Sequence, residues 1–230
     1  MGEIATARPK RLAALGGAYA VSLIIPLQSG LLGKNNGASA RCRAELARLR
    51  KAGVNPGASF FLTGETIFER WPQEELDGLG ASQFESDCVL RSVESSLNLY
   101  DLHQQSEITP CAVVRREGET DEELGLQRRH ASFGRACRQI EPDLSEAAGI
   151  QRRLRAIEGA SDFDGVLYGM RQLVGLMKSS GKHATIPLDY WQLTYDLYLL
   201  QLAGTWRDSV LSRWSRDYFV PIEKKPRRSA

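Results

Sequence analysis

The apolar positions of this chain recur at helical spacing almost from end to end. Between Ile186 and Phe219, Leu188, Trp191, Tyr195, Tyr198 and Leu202 step by three, four, three and four, which places them on one helical face as an aromatic seam. Gly204 is a natural stop, and beyond it Leu211, Trp214 and Tyr218 repeat the pattern with Arg213 and Arg216 directed away from it. Arg207 falls inside the apolar arc and must snorkel or find a partner. The same reading predicts a core helix over Gln83–Gln104, burying Leu90, Val93, Leu97 and Tyr100. Phe133, Cys137 and Ile140 share a face, with Arg128, Arg135 and Arg138 opposite. A further helix, started by Ser145 or the Pro142 turn, buries Ile150, Leu154 and Ile157 and leaves Arg152, Arg153 and Arg155 outside. The next, Asp162 to Lys178, is capped by Ser161 or Asp162 and carries a stripe from Phe163 to Met177 bordered by Arg171, Lys178 and Lys182.

The N-terminal half reads less cleanly. Ser39 is placed to cap a helix over Ala40–Lys51 that turns Leu46 and Leu49 inward and Arg41, Arg43, Arg48, Arg50 and Lys51 outward. Two short helices follow from Thr63, the second opening at Pro72. Before them, Arg8, Lys10 and Arg11 precede an apolar run from Leu12 to Leu32 with the layout of a signal peptide or membrane anchor. Glycines, Ser22, Pro26 and Gln28 dilute that run, and no small-x-small cleavage site follows it. No segment alternates as a strand would, and VSLII is better explained by a helix. The expectation is an all-α protein of two helical bundles: residues 1–105, a long variable connecting loop at 106–127, a C-terminal bundle at 128–220, and a basic tail at 221–230.

With 230 residues, 42% of them hydrophobic, the chain can bury one large core or two small ones. Its net charge of +2 means that any nucleic-acid role rests on segregation of charge. Acidic residues gather at Glu65–Asp87 and Glu117–Glu123, and arginines at Arg128–Arg155 and Arg207–Arg228. Cys42, Cys88, Cys111 and Cys137 form no CxxC, and His103, His130 and His183 sit at no zinc spacing, so the cysteines read as free thiols in a reducing compartment. The carboxylates Glu65, Glu69, Glu74, Glu75 and Asp77 lack a catalytic partner, and Asp101 and His103 are two apart on a helix and do not face each other. There is no phosphate-cradling glycine loop and no nucleophile elbow. We expect no catalytic residue, no metal and no cofactor. Two consecutive helices that each bury one face and show arginines on the other make a track for a phosphate backbone, since guanidinium forks suit phosphate oxygens. The plainer reading pairs these arginines with Glu141, Asp143, Glu146 and Glu158, or leaves them as a solvated surface.

Several motifs carry a resemblance. PLDY, an aromatic-rich helix and RWSRDYF resemble the C-terminal signature of the CasB family, the small subunit of the type I-E CRISPR Cascade complex. LNLYDLHQQS, SFGRA, the paired arginines of IQRRLRAI and SARCRAELARLRKAGVNPG resemble further family motifs. The resemblance implies a cytoplasmic, non-catalytic subunit of an RNA-guided DNA-binding complex in antiviral defence. Its implied partners are other Cascade subunits, guide RNA, target DNA including the displaced strand of the R-loop, and a second copy of itself, with no membrane. Arg135, Arg152 and Arg153 sit at positions matching family motifs; Arg128, Arg138, Arg155, Arg171, Lys178, Arg213 and Arg216 join the expected phosphate track from charge and helical facing. Two other readings stay open: a helical adaptor that contacts only proteins, and a membrane-anchored helical protein.

Overall fold

A computed structural model describes residues 2–54, 60–179, 185–202 and 204–220. Lys182, the tail from 221 and the Gly-Pro exit after the second helix lie outside the described residues. The helices run α1 (Gly2–Leu32), α2 (Asn36–Val54), α3 (Phe60–Phe68), α4 (Gln73–Gly78), α5 (Gln83–Gln104), α6 (Asp121–His130), α7 (Phe133–Ile140), α8 (Ala148–Glu158), α9 (Phe163–Ser179), α10 (Tyr190–Gln201) and α11 (Thr205–Phe219). The expected all-α class holds. Among the described residues the one trace of β structure is an isolated parallel bridge between Ala112 and Leu188.

α10 lies at the centre, against α1, α5 and α11. Because neighbours surround it, its burial is not confined to one seam. Tyr190, Leu193, Leu197, Tyr198, Leu199 and Leu200 are all buried, and so are the polar Thr194 and Asp196. Of the predicted seam, Trp191 and Tyr195 are only half-buried and stack on each other with ring centroids 5.6 Å apart. The loop after α10 turns at Gly204, whose φ of 71° lies in the region that favours glycine.

The apolar run of α1 is accounted for by the same packing. Leu12, Ala13, Ala20, Ile24 and Leu27 are buried, and α1 packs on α10, α5 and α2. A side chain at Gly17 would place its Cβ 2.7 Å from the Trp191 carbonyl oxygen, so a glycine that dilutes the run is the point where α10 makes its close approach. α1 is the one described helix long and apolar enough to cross a membrane, over Ala7–Leu32, and half of that window is buried within the protein.

Local signals set the other boundaries, with three differences from expectation. α2 starts earlier than Ser39, because the Asn35 side chain accepts from the amides of Gly37 and Ala38; Ser39 lies within the helix and its hydroxyl takes a 2.7 Å bond from Arg43. α8 begins behind Ala147 without a side-chain cap, and Ser145 bonds Asp143 instead. The connection is shorter than expected, because Thr120 and Glu123 form a reciprocal capping box that starts α6 inside the predicted loop despite Gly125. What precedes α6 is pinned by two buried glutamines. Gln28 exchanges both amide bonds with the backbone of Ala112, and Gln104 accepts from the Cys111 amide and donates to the carbonyls of Glu107 and Thr109. The four cysteines are free thiols.

Two packing details yield tests. In SFGRA, Gly134 of α7 meets α11 so closely that an added Cβ would lie 2.3 Å from the Trp214 carbonyl oxygen and 2.9 Å from Asp217 Cβ. Since backbone cannot yield as a side-chain tip can, Gly134→Ala is expected to lose about 2 kcal/mol or more in denaturant unfolding. His103 is fully buried, bonded through Nδ1 to Tyr190 Oη at 3.1 Å, and burial pushes its pKa down to about 4 from 6.5. Its neutral form is favoured by folding, so the stability it contributes is complete above pH 6.5 and is lost as the pH falls toward 4. The loss is on the order of 3 kcal/mol. Asp196, whose burial pushes its carboxyl up to about 6, acts in the opposite sense. The check is therefore a difference: between pH 7.5 and pH 5, wild type should lose more stability than His103→Gln, and equal losses would count against this role.

Candidate nucleic-acid interface

The end of α6, the start of α7, the start of α10 and one face of α11 enclose a cleft of about 320 Å³. The local sequence brings them together. Ser132 caps α7 by accepting from the Arg135 amide and donates to Asp217 of α11 at 2.7 Å. The Asp189 amide donates to the Ala131 carbonyl, tying the α6–α7 turn to the start of α10. Into this cleft α6 sends Arg128 and Arg129, α7 sends Arg135, and α11 sends Arg213 and Arg216. Two carboxylates line it as well, Asp189 and Asp217, so positive charge predominates.

The five guanidinium groups are not equivalent. Arg128 lies 3.8 Å from Asp189 and 5.5 Å from the centre of the Trp191 ring. Asp189 caps α10 by accepting from the amides of Trp191 and Gln192; burial pushes its carboxyl upward, and Arg128 opposes that shift. Arg213 pairs with the buried Asp196, which also accepts from Gln192 and, at 2.6 Å, from the Trp214 indole. Arg135 donates to the Val220 carbonyl. Arg129 and Arg216 are exposed and form no ion pair among the described residues. Three arginines are thus held in place and two stand open to solvent.

The remaining expected contacts lie elsewhere. Arg152 and Arg155 of α8 are exposed, as predicted. Arg153 is not outside: it lies back on α9, donating to Gln172 at 3.2 Å and to the Gly149 carbonyl at 3.0 Å. Arg213 departs from expectation in the same way. Helical facing directs both away from their own apolar stripes, but a neighbouring helix occupies that side. Arg138 is half-buried, Arg171 is half-buried on α9, and Lys178 donates to Gln105 at 3.3 Å. Arg207 finds its partners in the carbonyls of Ile157, Glu158 and Ala160, at the end of α8. Of the ten expected residues, the cleft gathers Arg128, Arg135, Arg213 and Arg216. Arg129 is the addition; its signal was the arginine doublet, unreadable without the register of α6.

Among the described residues no group of acidic, histidine or cysteine side chains is arranged to hold a metal ion. What the geometry offers is an array of five guanidinium groups, three of them held in place, on a helical scaffold. That class of protein now has a family. The model of CRISPR-associated protein Cse2 matches residues 45–219, most of the chain, and the chain belongs to that family. It is accordingly a structural subunit of a CRISPR Cascade complex, with other Cascade subunits as its partners. Among solved structures, the crystal structure of CasB from Thermobifida fusca has a similar fold, with a TM-score of 0.64 and 20% sequence identity over 89% of this chain and 98% of that one. No curated protein matches it in sequence.

The Arg213–Asp196 pair makes a checkable asymmetry. Removing the arginine strands a buried carboxylate, so Arg213→Ala should cost about 3–5 kcal/mol near pH 7.5. Protonation relieves the stranded charge, and because Asp196 already titrates near 6 with its partner present, the penalty should shrink as the pH is lowered from above 6. A pH-independent penalty in urea unfolding would show that Arg213 stabilises by packing alone.

Proposed function

We propose that this chain is the non-catalytic small subunit of a type I-E CRISPR RNA-guided DNA-binding complex in the cytoplasm. It steadies the guide RNA–target heteroduplex and the displaced strand of the R-loop through sequence-independent phosphate contacts, alongside a second copy of itself. The observation that carries this reading is the convergence of Arg128, Arg129, Arg135, Arg213 and Arg216 on one cleft from three separate helices. A chain with net charge of +2 concentrates five guanidinium groups there, which supports a local anionic ligand over general solubility. Guanidinium groups match phosphate oxygens in geometry and read no sequence from them. Exchange of a DNA duplex for an RNA–DNA heteroduplex is nearly balanced in energy, so a few such contacts decide whether the open state persists. Arg152 and Arg155, exposed on α8 away from this cleft, would form a second group of contacts.

The test uses the assembled complex. Arg129→Glu with Arg216→Glu, both exposed, should leave the subunit folded and incorporated. Affinity for target DNA should fall, and the slope of its logarithm against the logarithm of salt concentration should become shallower by about 1.5. Arg152→Glu with Arg155→Glu should act in the same direction. An incorporated, folded Arg129/Arg216 variant with unchanged affinity and slope would refute the phosphate contacts and favour a purely protein-binding adaptor.

A further inference from the structure

The turn that follows α5 takes no part in the arginine cleft. Its segment from Gln105 to Val114, QSEITPCAVV, carries one charged side chain, Glu107, in a chain of which 25% is charged. At the tip Ile108 is 90% exposed, the most exposed of the large apolar side chains among the described residues, and Thr109 and Pro110 beside it are exposed as well. A single exposed isoleucine is ordinary on a protein surface. What sets this one apart is how firmly the backbone beneath it is held.

Ser106 is the one non-glycine among the described residues with a positive φ, 67°, a conformation that L side chains rarely adopt and that persists only where the surroundings enforce it. They enforce it from two sides. The Glu107 amide donates back to the Gln104 carbonyl at 3.0 Å, and the buried Gln104 side chain donates to the carbonyls of Glu107 and Thr109 while accepting from the Cys111 amide. Across the turn, the hydroxyls of Thr109 and Thr185 bond at 2.5 Å, and the Thr185 hydroxyl donates to the Glu107 carboxylate at 2.9 Å. Lys178 bonds Gln105 at the base. The charges of the turn are thus engaged within the protein, and its tip presents an apolar knob.

The chemistry of that knob selects its partner. A nucleic-acid strand gains little from it, because phosphates need free cations and bases need a flat ring to stack on. A bilayer gains too little as well, since even a whole acyl chain anchors only marginally. A concave apolar pocket on a protein fits: a branched side chain on an ordered turn loses little freedom on insertion, and Thr109 and Pro110 around it exclude water. Membership of the Cse2 family supplies such partners, the other Cascade subunits. We propose that Ile108 is the knob by which this chain locks into an apolar pocket on another protein subunit of the Cascade complex. The inference rests on family membership and is independent of the phosphate contacts.

The test titrates the full chain into a Cascade complex assembled without it, in the absence of target DNA, and reads incorporation by native mass spectrometry. Ile108→Asp should raise the concentration needed for incorporation about tenfold or more, equally at about 0.1 M and about 1 M salt, with the midpoint of denaturant unfolding unchanged. Ile108→Leu, which keeps volume and apolarity, should incorporate like wild type. A photo-cross-linking side chain at position 108 should join the chain to another Cascade protein. Unchanged incorporation of Ile108→Asp would overturn the knob. A cross-link to a second copy of this chain or to nucleic acid would overturn the assigned partner, and so would a loss of target-DNA affinity with incorporation intact. Incorporation and DNA affinity are read separately, so failure of either reading leaves the other standing.

Discussion

The constraint on which this fold turns is the burial of α10 on nearly all sides. A helix covered on nearly all sides needs apolar neighbours around its whole circumference, and every polar group it takes inside needs a partner from one of them. Its sequence meets the first condition and, apart from the Tyr198 hydroxyl, which has no hydrogen-bond partner among the described residues, the second. Thr194 bonds Ser96 of α5 at 2.7 Å, and Tyr190 bonds His103 of the same helix. Asp196 reaches Arg213 and Trp214 of α11, and Asp189 lies beside Arg128 of α6. The glycines of α1 let that helix approach the remaining side. α10 therefore fixes the placement of α5, α6 and α11 through specific bonds, where apolar contact alone would tolerate sliding, and holds α1 by close packing at Gly17.

The basic cleft is a product of that arrangement. Burying carboxylates is costly, and a well-packed apolar pair is often at least as stable as a buried ion pair. The two carboxylates on α10 lie seven residues apart, about 10.5 Å along a helix, and each holds an arginine that comes from a different helix. Their contribution is thus positional: they hold Arg128 and Arg213 at set places on the cleft wall with little rotamer freedom left to lose. A phosphate arriving there meets donors already in position.

How much of this could be read from the chain depends on whether a feature belongs to one helix or to several. The helical periodicity of α5, α9 and α11 is internal to each segment, and these helices lie within a few residues of where their apolar spacing puts them. Features that depend on a second helix were not legible. Arg213 and Arg153 face away from their own apolar stripes, yet α10 and α9 reach them there. Gly17 looked like dilution of an apolar run, because nothing in α1 announces the Trp191 carbonyl against it. Arg129 was passed over for a related reason. Sequence spacing faces Arg128 with α7, opposite Phe133, and gives Arg129 no place; the Thr120–Glu123 capping box makes α6 a helix of its own, and its register puts both arginines on the cleft.

Near-neutral net charge and a basic cleft are compatible because the arginines fall into two groups with different physics. Those tied from behind, Arg128, Arg135 and Arg213, are partly neutralised or bonded by the protein itself, so they add shape more than long-range field. Arg129 and Arg216 lack such partners among the described residues and dominate the potential that a strand feels from a distance. Attraction at a distance is screened by salt within about 10 Å at 0.1 M, whereas the geometry of the tied arginines is not. Salt should therefore weaken capture more than it alters where the captured backbone lies. Under the proposed function, in which the subunit steadies a strand already opened beside it, the second property counts for more than the first, and the buried carboxylates of α10 and its cap would supply it.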